Sequence, residues 1–415
     1  MVESKKTITV LDIGTTKVCA IQASVDSTFT FDIHAVSSKN SLGMRKGNVV
    51  DIQEVCQSIK SCLDEIKSKT GKKIDKVSIS LAGPHIYSFN HSSTSILKSG
   101  EVTKADIRKT VELSKVAPIP KDREIIHYIP QKFKVDQLDS LSNPLGLSGE
   151  KICGQMHIVT ALKAPVHNLV KSVELAGYVV ENMYLQPICS SEAVLTLEEK
   201  NLGVLLVDIG GGTTDLALWK GGHIEHTEII PIGGNHFTRD LSIALNVPLD
   251  EAEKIKIKYG HLLKDSSLED GSENIKIYGI DGVKVREASF QQIREVLEAR
   301  SEELFKMISQ SIEDKQLKEQ IVGGIVLTGG GSLLKGMQEY SEFQLEKPTK
   351  MGIPHSIPGV QTYFQNPKFS TVVGLLLEVR KRLMNADEQM SEGLARRDSF
   401  YKFKESIRNV LRDFF

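Results

Sequence analysis

No stretch of this sequence stays apolar for the roughly 20 residues that a membrane-spanning helix needs. Cysteine is scarce as well: five residues, at 19, 56, 62, 153 and 189, odd in number, scattered and without a Cys-x-x-Cys spacing. That pattern argues against a disulfide framework or a zinc knuckle and fits reduced thiols. Charge of either sign in excess is missing too. The net charge is −1, so no global basic field points to nucleic acid as a partner. The start of the chain lacks a secretory pattern, because the apolar run from Ile8 to Ile13 is interrupted by Asp12 and reads as a strand. What is present is ordinary for a soluble globular chain: 25% charged and 40% hydrophobic residues over 415 positions. That length allows two or more domains, each with its own core.

One stretch stands out: Val204-Leu-Leu-Val-Asp208-Ile-Gly210-Gly211-Gly212-Thr213-Thr214-Asp215. An apolar run bounded by glycine suits a strand buried on both faces. Three glycines leave no Cβ over the turn, so backbone N–H groups can close on a bulky anion. Thr213 and Thr214 add hydroxyl donors, and Asp208 at the strand end could hold Mg2+ through water. The bland alternative is a tight hairpin with a solvated aspartate. Against it, a similar phrase occurs near the start: Ile8-Thr-Val-Leu-Asp12-Ile-Gly14-Thr15-Thr16-Lys17. The spacing between Asp12 and Asp208 fits two duplicated domains better than a short solenoid repeat. Lys17 follows the first turn, where its ammonium could neutralise a terminal phosphate. A third loop, Gly329-Gly330-Gly331-Ser332, follows the strand Ile325-Val-Leu-Thr. Ser332 is expected to cap a helix there and to set its N-terminus beside a ligand.

These three loops resemble the two phosphate loops and the adenosine loop of the actin superfamily, which includes actins, DnaK-type chaperones and sugar kinases. The resemblance implies an α/β, actin-like (ribonuclease-H-like) two-domain fold with ATP and Mg2+ clamped between the halves, Asp12 and Asp208 being the metal-side carboxylates. Leu185-Gln186-Pro187 resembles the first connecting segment, which implies that Gln186 orders the water shell of the metal and could orient an attacking water. Glu251-Ala-Glu253-Lys254-Ile-Lys256 resembles the helix that offers Glu253 and Lys256 to ribose and base. Gly233 and Gly234 fall where the second domain of the superfamily meets the nucleotide.

Taken in order, residues 1–83 read as the first actin-like domain, with a core-facing helix carrying Val55, Ile59, Leu63 and Ile66 at helical spacing. Residues 84–162 change texture and read as an inserted small α/β subdomain, with a helix at 105–114. Within it, His127-Tyr-Ile-Pro130-Gln131 and Asn143-Pro144-Leu-Gly-Leu-Ser-Gly149 resemble the inserted subdomain of the FtsA family of bacterial cell-division proteins. His127 reads as a hydrogen-bonded structural residue, since no second His or Cys stands at metal spacing. Residues 163–200 return to the first domain, with a helix expected at 165–176. Residues 201–345 form the second domain, helix-rich over about 235–310, with a polar surface loop at 264–274. Residues 346–369 read as loop, and 370–378 as a helix crossing back to the first domain. That helix resembles the second connecting segment of the superfamily.

After Met384 a polar linker spans 385–398, followed by a terminal helix at 399–415. Phe400, Phe403, Ile407, Val410, Leu411 and Phe414 share one helical face, and Phe415 extends it. From Arg396 onward there are six Lys or Arg against three Asp or Glu. Full burial of each large side chain would yield about 1.5–3 kcal/mol, so partial insertion of several could hold this segment on an anionic lipid surface. A helix packed on its own domain or on a partner is the plainer alternative. A C-terminal amphipathic anchor on an actin-like body is also what the FtsA resemblance implies.

That resemblance implies an ATP-binding protein that polymerises into filaments, tethers filaments of the tubulin-like FtsZ to the inner face of the cytoplasmic membrane at the division site, and recruits later division proteins. Any ATP hydrolysis is expected to be slow. Two alternatives stand beside it. A small-molecule (sugar or acetate) kinase of the same superfamily is one; as a sugar kinase it needs an aspartate as base towards a sugar hydroxyl, and no motif nominates one. An actin-like pilus or shape scaffold explains the loops but not the phrase at 143–149.

Overall fold

A computed structural model describes residues 6–26, 28–263, 274–278, 285–357 and 362–384. The polar loop at 264–273 and the whole linker and terminal helix at 385–415 lie outside the described residues.

The first half opens with β1 (Lys6–Ile13), β2 (Lys17–Val25) and β3 (Phe31–Asn40). A small pair follows, β4 (Met44–Arg45) and β5 (Asn48–Val49), then helix α1 (Ile52–Thr70) and strand β6 (Lys76–Leu81). Helix α1 is fixed at both ends. Asp51 accepts from the N–H groups of Gln53 and Glu54, and Gly71 closes the helix at φ 64°. Val55, Ile59, Leu63 and Ile66 are buried against the sheet, as their spacing predicts.

The chain next builds a separate antiparallel sheet. It consists of β7 (Ile86–Ile96), helix α2 (Lys104–Ser114), β8 (Arg123–Val135), β9 (Leu138–Leu141) and β10 (Lys151–Leu162), in the order β7-β10-β8-β9. Helix α2 begins at a reciprocal cap between Thr103 and Asp106. Helix α3 (Lys163–Leu175) starts two residues before the expected position. Strand β11 (Val179–Leu185), helix α4 (Gln186–Val194) and helix α5 (Leu197–Leu202) complete the half.

The second half repeats the plan with β12 (Val204–Ile209), β13 (Thr214–Lys220), β14 (His223–Ile230), α6 (Gly234–Leu245) and α7 (Leu249–Tyr259). It continues through a hairpin of β15 (Asn274–Tyr278) and β16 (Val285–Ser289), then α8 (Phe290–Asp314), β17 (Ile325–Thr328), α9 (Met337–Leu345) and β18 (Thr349–Met351). Residues 370–384 form helix α10. Two of these elements depart from the sequence reading. The hairpin β15–β16 interrupts the stretch expected to be helical, and β18 adds a parallel strand to a stretch read as loop. Strand β18 takes its partner from β17, on the far side of α9, which local patterning does not register.

The two main sheets share one topology. Their orders are β11-β6-β1-β2-β3 and, reversed as written, β14-β13-β12-β17-β18. In each, the first strand pairs antiparallel to the second and parallel to the strand after the first helical crossover. Strand β12 is buried along its whole length, as expected of a central strand covered on both faces. Between the sheets, α4 and α10 cross within one continuous core that takes Val10 and Ile21 from one half, Leu206 and Ala217 from the other, and Val372 and Leu376 from α10. They cross backbone to backbone: a Cβ on Gly374 would lie 1.6 Å from the Cys189 carbonyl oxygen.

The inserted sheet touches both halves. One face carries α2, held by Ser93 Oγ donating to the Thr110 carbonyl at 2.9 Å. The alternate residues of β7 point the other way, onto edge strand β14. Ser88 Oγ donates to the Thr227 carbonyl at 2.8 Å, Asn90 Nδ2 to that of Glu225 at 3.1 Å, and Gln131 Nε2 to that of Ile224 at 2.6 Å. The β13–β14 register slips between Leu218 and Trp219, leaving Glu225 as an extra residue at the point of contact. His127 is structural, as read: its Nε2 accepts from the Leu185 N–H at 2.9 Å.

Candidate functional site

The two glycine hairpins are built alike. Gly14 N–H donates to the Lys17 carbonyl and Gly210 N–H to that of Thr213, both at 2.9 Å. Their tips meet. Thr16 Oγ1 lies 3.2 Å from Asn235 Oδ1, a Cβ on Gly211 would come within 1.9 Å of Thr16 Oγ1, and one on Gly212 within 2.4 Å of Thr15 Oγ1. Helix α6 is docked on the second hairpin by Gly234 N–H to the Gly210 carbonyl and Asn235 N–H to that of Gly211, both at 2.8 Å. The third loop passes behind: Gly329 has φ 84°, and a Cβ there would stand 2.2 Å from Asp208 Oδ1.

Together these loops line a cleft of about 520 Å³ between the halves, within the range of small-molecule sites. Asp12, Gly14, Thr15, Thr16, Lys17, Gln186, Asp208, Gly210, Gly211, Gly212 and Thr213 lie on its wall, as do Gly234, Glu253, Lys256, Gly329, Gly330 and Gly331. Two nominated residues are not on the wall. Gly233 starts α6 and packs on the second hairpin, where a Cβ would meet the Gly210 carbonyl at 2.7 Å. Ser332 is not a helix cap: residues Gly330–Leu333 make a single 3-10 turn, and the buried Ser332 hydroxyl donates to the Gly329 carbonyl at 2.7 Å. The turn is too short to present a helix N-terminus.

Asp12 and Asp208 face the same cleft from opposite halves. Asp12 Oδ1 accepts from Ser80 Oγ at 2.6 Å and Gln186 Nε2 at 3.1 Å, while Lys17 Nζ lies 3.5 Å from Oδ2. Burial works against the Lys17 ammonium, yet the Asp12 carboxylate, with help from Asp208, holds its pKa above the usual lysine value. Asp208 Oδ2 accepts from Ser190 Oγ and, at 3.4 Å, from Thr371 Oγ1. Burial raises the Asp208 carboxyl to about 6, with Ser190 opposing the shift and Asp12 adding to it. Lys256 Nζ donates to the Gly234 carbonyl at 3.0 Å and pairs with Glu253 at 2.7 Å, so both head groups are held in place.

The sequence reading missed Asp215. It pairs directly with Asp208 across β12–β13, whereas Asp12 in the first half pairs with Cys19. Asp215 lines the cleft, and its Oδ1 is buried without a partner. Burial pushes its carboxyl well above the usual range, and Asp208 and Asp12 push it further. The hairpin register could have nominated it, because any residue facing Asp208 across a tight turn shares its face.

The donor set suits an anion bearing a divalent cation. Glycine-lined tips and Lys17 offer positive poles, while three crowded carboxyl groups would be relieved by a cation. Among the described residues no group of three or more ligating side chains stands close enough to hold a metal alone. Magnesium kept mostly by water and phosphate oxygens fits that arrangement.

Twin α/β halves of one topology, closed around such a cleft, define an actin-like two-domain fold. Solved structures agree. A chain of the PilM-PilN type IV pilus biogenesis complex superposes with a TM-score of 0.64 at 19% identity, covering 89% of this chain and 98% of that one. MreB5 of Spiroplasma citri bound to ADP superposes at 0.54 and 18% identity, covering 92% and 99%. The family model for Cell division protein FtsA matches residues 205–374, and that for the SHS2 domain inserted in FTSA matches 83–160. The Pseudomonas aeruginosa cell division protein FtsA is 37% identical over 91% of this chain and 90% of its own length. That of Borreliella burgdorferi is 34% identical over 99% and 98%, and that of Escherichia coli K12 is 32% identical over 94% and 94%. The chain belongs to the FtsA family of cell division proteins. Among its described residues no helix is long and apolar enough to cross a membrane.

Proposed function

We propose that this chain binds ATP with Mg2+ in the cleft, polymerises, and tethers FtsZ filaments to the inner face of the cytoplasmic membrane through residues 399–415. In this reading the inserted subdomain recruits later division proteins. The observation that carries the nucleotide part is the single cleft of about 520 Å³ onto which both glycine hairpins, both metal-side aspartates and the Glu253–Lys256 pair converge. Bound ADP or AMPPNP in MreB5 of Spiroplasma citri supports it by analogy of fold.

The residues divide the work by charge. Thr15, Thr16, Gly211 and Gly212 turn backbone N–H groups towards phosphate from opposite halves, so occupancy favours the closed arrangement. Lys17 balances terminal phosphate charge. Asp12 and Asp208 hold the water shell of the magnesium, and Gln186 orients one water of that shell. Glu253 and Lys256 take the ribose and base. The bound group supplies the negative charge and the divalent cation that this cleft is arranged to receive. In this reading turnover is slow and the nucleotide serves mainly as a structural clamp.

The membrane part rests on the chemistry of residues 399–415, with Phe400, Phe403, Ile407, Val410, Leu411, Phe414 and Phe415 apolar beside six basic residues from Arg396 on. A filament presents many such tails together, which multiplies a weak single anchor. Flotation on anionic liposomes, with and without FtsZ, tests the whole reading. The full chain should float and carry FtsZ with it; a chain ending at Asp398, or one with Phe403→Glu and Leu411→Glu, should bind ATP but stay at the bottom. Flotation of the double variant would remove residues 399–415 as the anchor.

A further inference from the structure

Gln186 and Ser190 stand one turn apart on α4, which places them on the same helical face. Each holds a cleft carboxylate, and the two come from different halves: Gln186 Nε2 reaches Asp12 Oδ1 at 3.1 Å, and Ser190 Oγ donates to Asp208 Oδ2. Thr371, in the first turn of α10, closes a triangle, with Oγ1 3.2 Å from Ser190 Oγ and 3.4 Å from Asp208 Oδ2. Ser190 is fully buried, so its hydroxyl has no water to turn to instead.

We propose that Ser190, assisted by Thr371, is a positioning residue that ties the Asp208 carboxylate to both interdomain helices and carries occupancy of the cleft into the crossing of α4 and α10. This rests on the reading of the cleft as a nucleotide–magnesium site. The two helices are in direct backbone contact, because Gly374 lies against the Cys189 carbonyl with no room for a Cβ. A shift of Asp208 towards a bound cation therefore either draws α4 along or breaks the Ser190 bond. Gln186 does the same for Asp12 at the start of the helix. One turn of α4 thus compares the positions of the two carboxylates, and any change in their separation loads the helix.

The molecule carries its own reporter. Trp219 is the single tryptophan of the chain, and its Nε1 donates to Ser191 Oγ at 2.8 Å, next to Ser190 on α4. The experiment uses the full chain, Ser190→Ala, and Ser190→Cys, which keeps the size and a weak donor. Affinity for ATP is measured by calorimetry with Mg2+ and with EDTA, and Trp219 emission is recorded in parallel. Mg2+–ATP should change the emission of the unmodified chain. At saturating Mg2+–ATP, Ser190→Ala should lose at least half of the emission change, and Ser190→Cys should fall between. If the alanine variant does not fold, the cysteine variant carries the comparison. Equal emission changes in all chains would overturn the proposal, and so would binding by the unmodified chain without any change. Failure of the unmodified chain to bind ATP at all would sink the nucleotide reading itself, an outcome recognisable before any variant is made.

Discussion

Thr16 Oγ1 and Asn235 Oδ1 lie 3.2 Å apart across 219 positions of sequence, and that bond joins the tip of the first hairpin to the first turn of α6. It marks where the two halves of the molecule touch at the mouth of the cleft. Glycine is required there for the approach between loops.

Gly211→Val follows from that contact. A Cβ at 211 would stand 1.9 Å from Thr16 Oγ1, so the hairpins must part and their N–H groups can no longer converge. ATP affinity should fall at least about tenfold, or 1.4 kcal/mol, by calorimetric titration. Far-UV circular dichroism should be unchanged, because β12 and β13 keep their ladder.

Gly374→Val attacks the crossing of the interdomain helices. The obstruction is the Cys189 carbonyl, 1.6 Å from the new Cβ, and a backbone atom inside a helix cannot move aside as a side chain could. The cost should reach the upper end of overpacking penalties, about 3 kcal/mol or more, read as a lowered urea midpoint.

Acid should loosen the inserted sheet. Burial lowers His157 to about 3, with His226 adding to the shift, and lowers His85 and His127 each to about 4. His157 lies 2.6 Å from Asn90 Oδ1 and 3.0 Å from Thr227 Oγ1, at the contact with β14. Each folded pKa lies below the unfolded value of 6.5, so only the unfolded chain takes up these protons as pH falls. Stability is intact above pH 6.5 and declines from there towards pH 4. At pH 5 His157 alone should cost roughly 2 kcal/mol, at 1.36 kcal/mol per unit. Urea melts at pH 7.5 and pH 5 should differ accordingly, and His157→Gln should reduce the difference.

Thiol labelling should sort the five cysteines by burial. Cys19, Cys62 and Cys189 are buried; burial pushes Cys19 to about 12, Cys62 to about 11 and Cys189 well above the usual thiol value. Cys56 and Cys153 are half-buried. A thiol reagent at pH 8 should modify at most those two in the native chain and all five in urea, by mass spectrometry.

The sequence by itself determined the elements whose signal is local. A run of apolar residues ending in Asp-x-Gly specifies a buried strand and its turn within a dozen positions, so both glycine hairpins, the Gly329–Gly331 loop and helix α1 could be read directly. Repetition of the hairpin also revealed the duplication that the sheet orders display. Only the tertiary structure decided which residues stand beside Asp208. Asp215 arrives there by strand register, Ser190 by the placement of α4, and Thr371 from 163 positions away. It also withdrew Ser332 from the cleft wall, added β18 to the second sheet, and laid the inserted sheet on β14. Those outcomes depend on how separate elements pack, and packing distance leaves no trace in the spacing of residues along a chain.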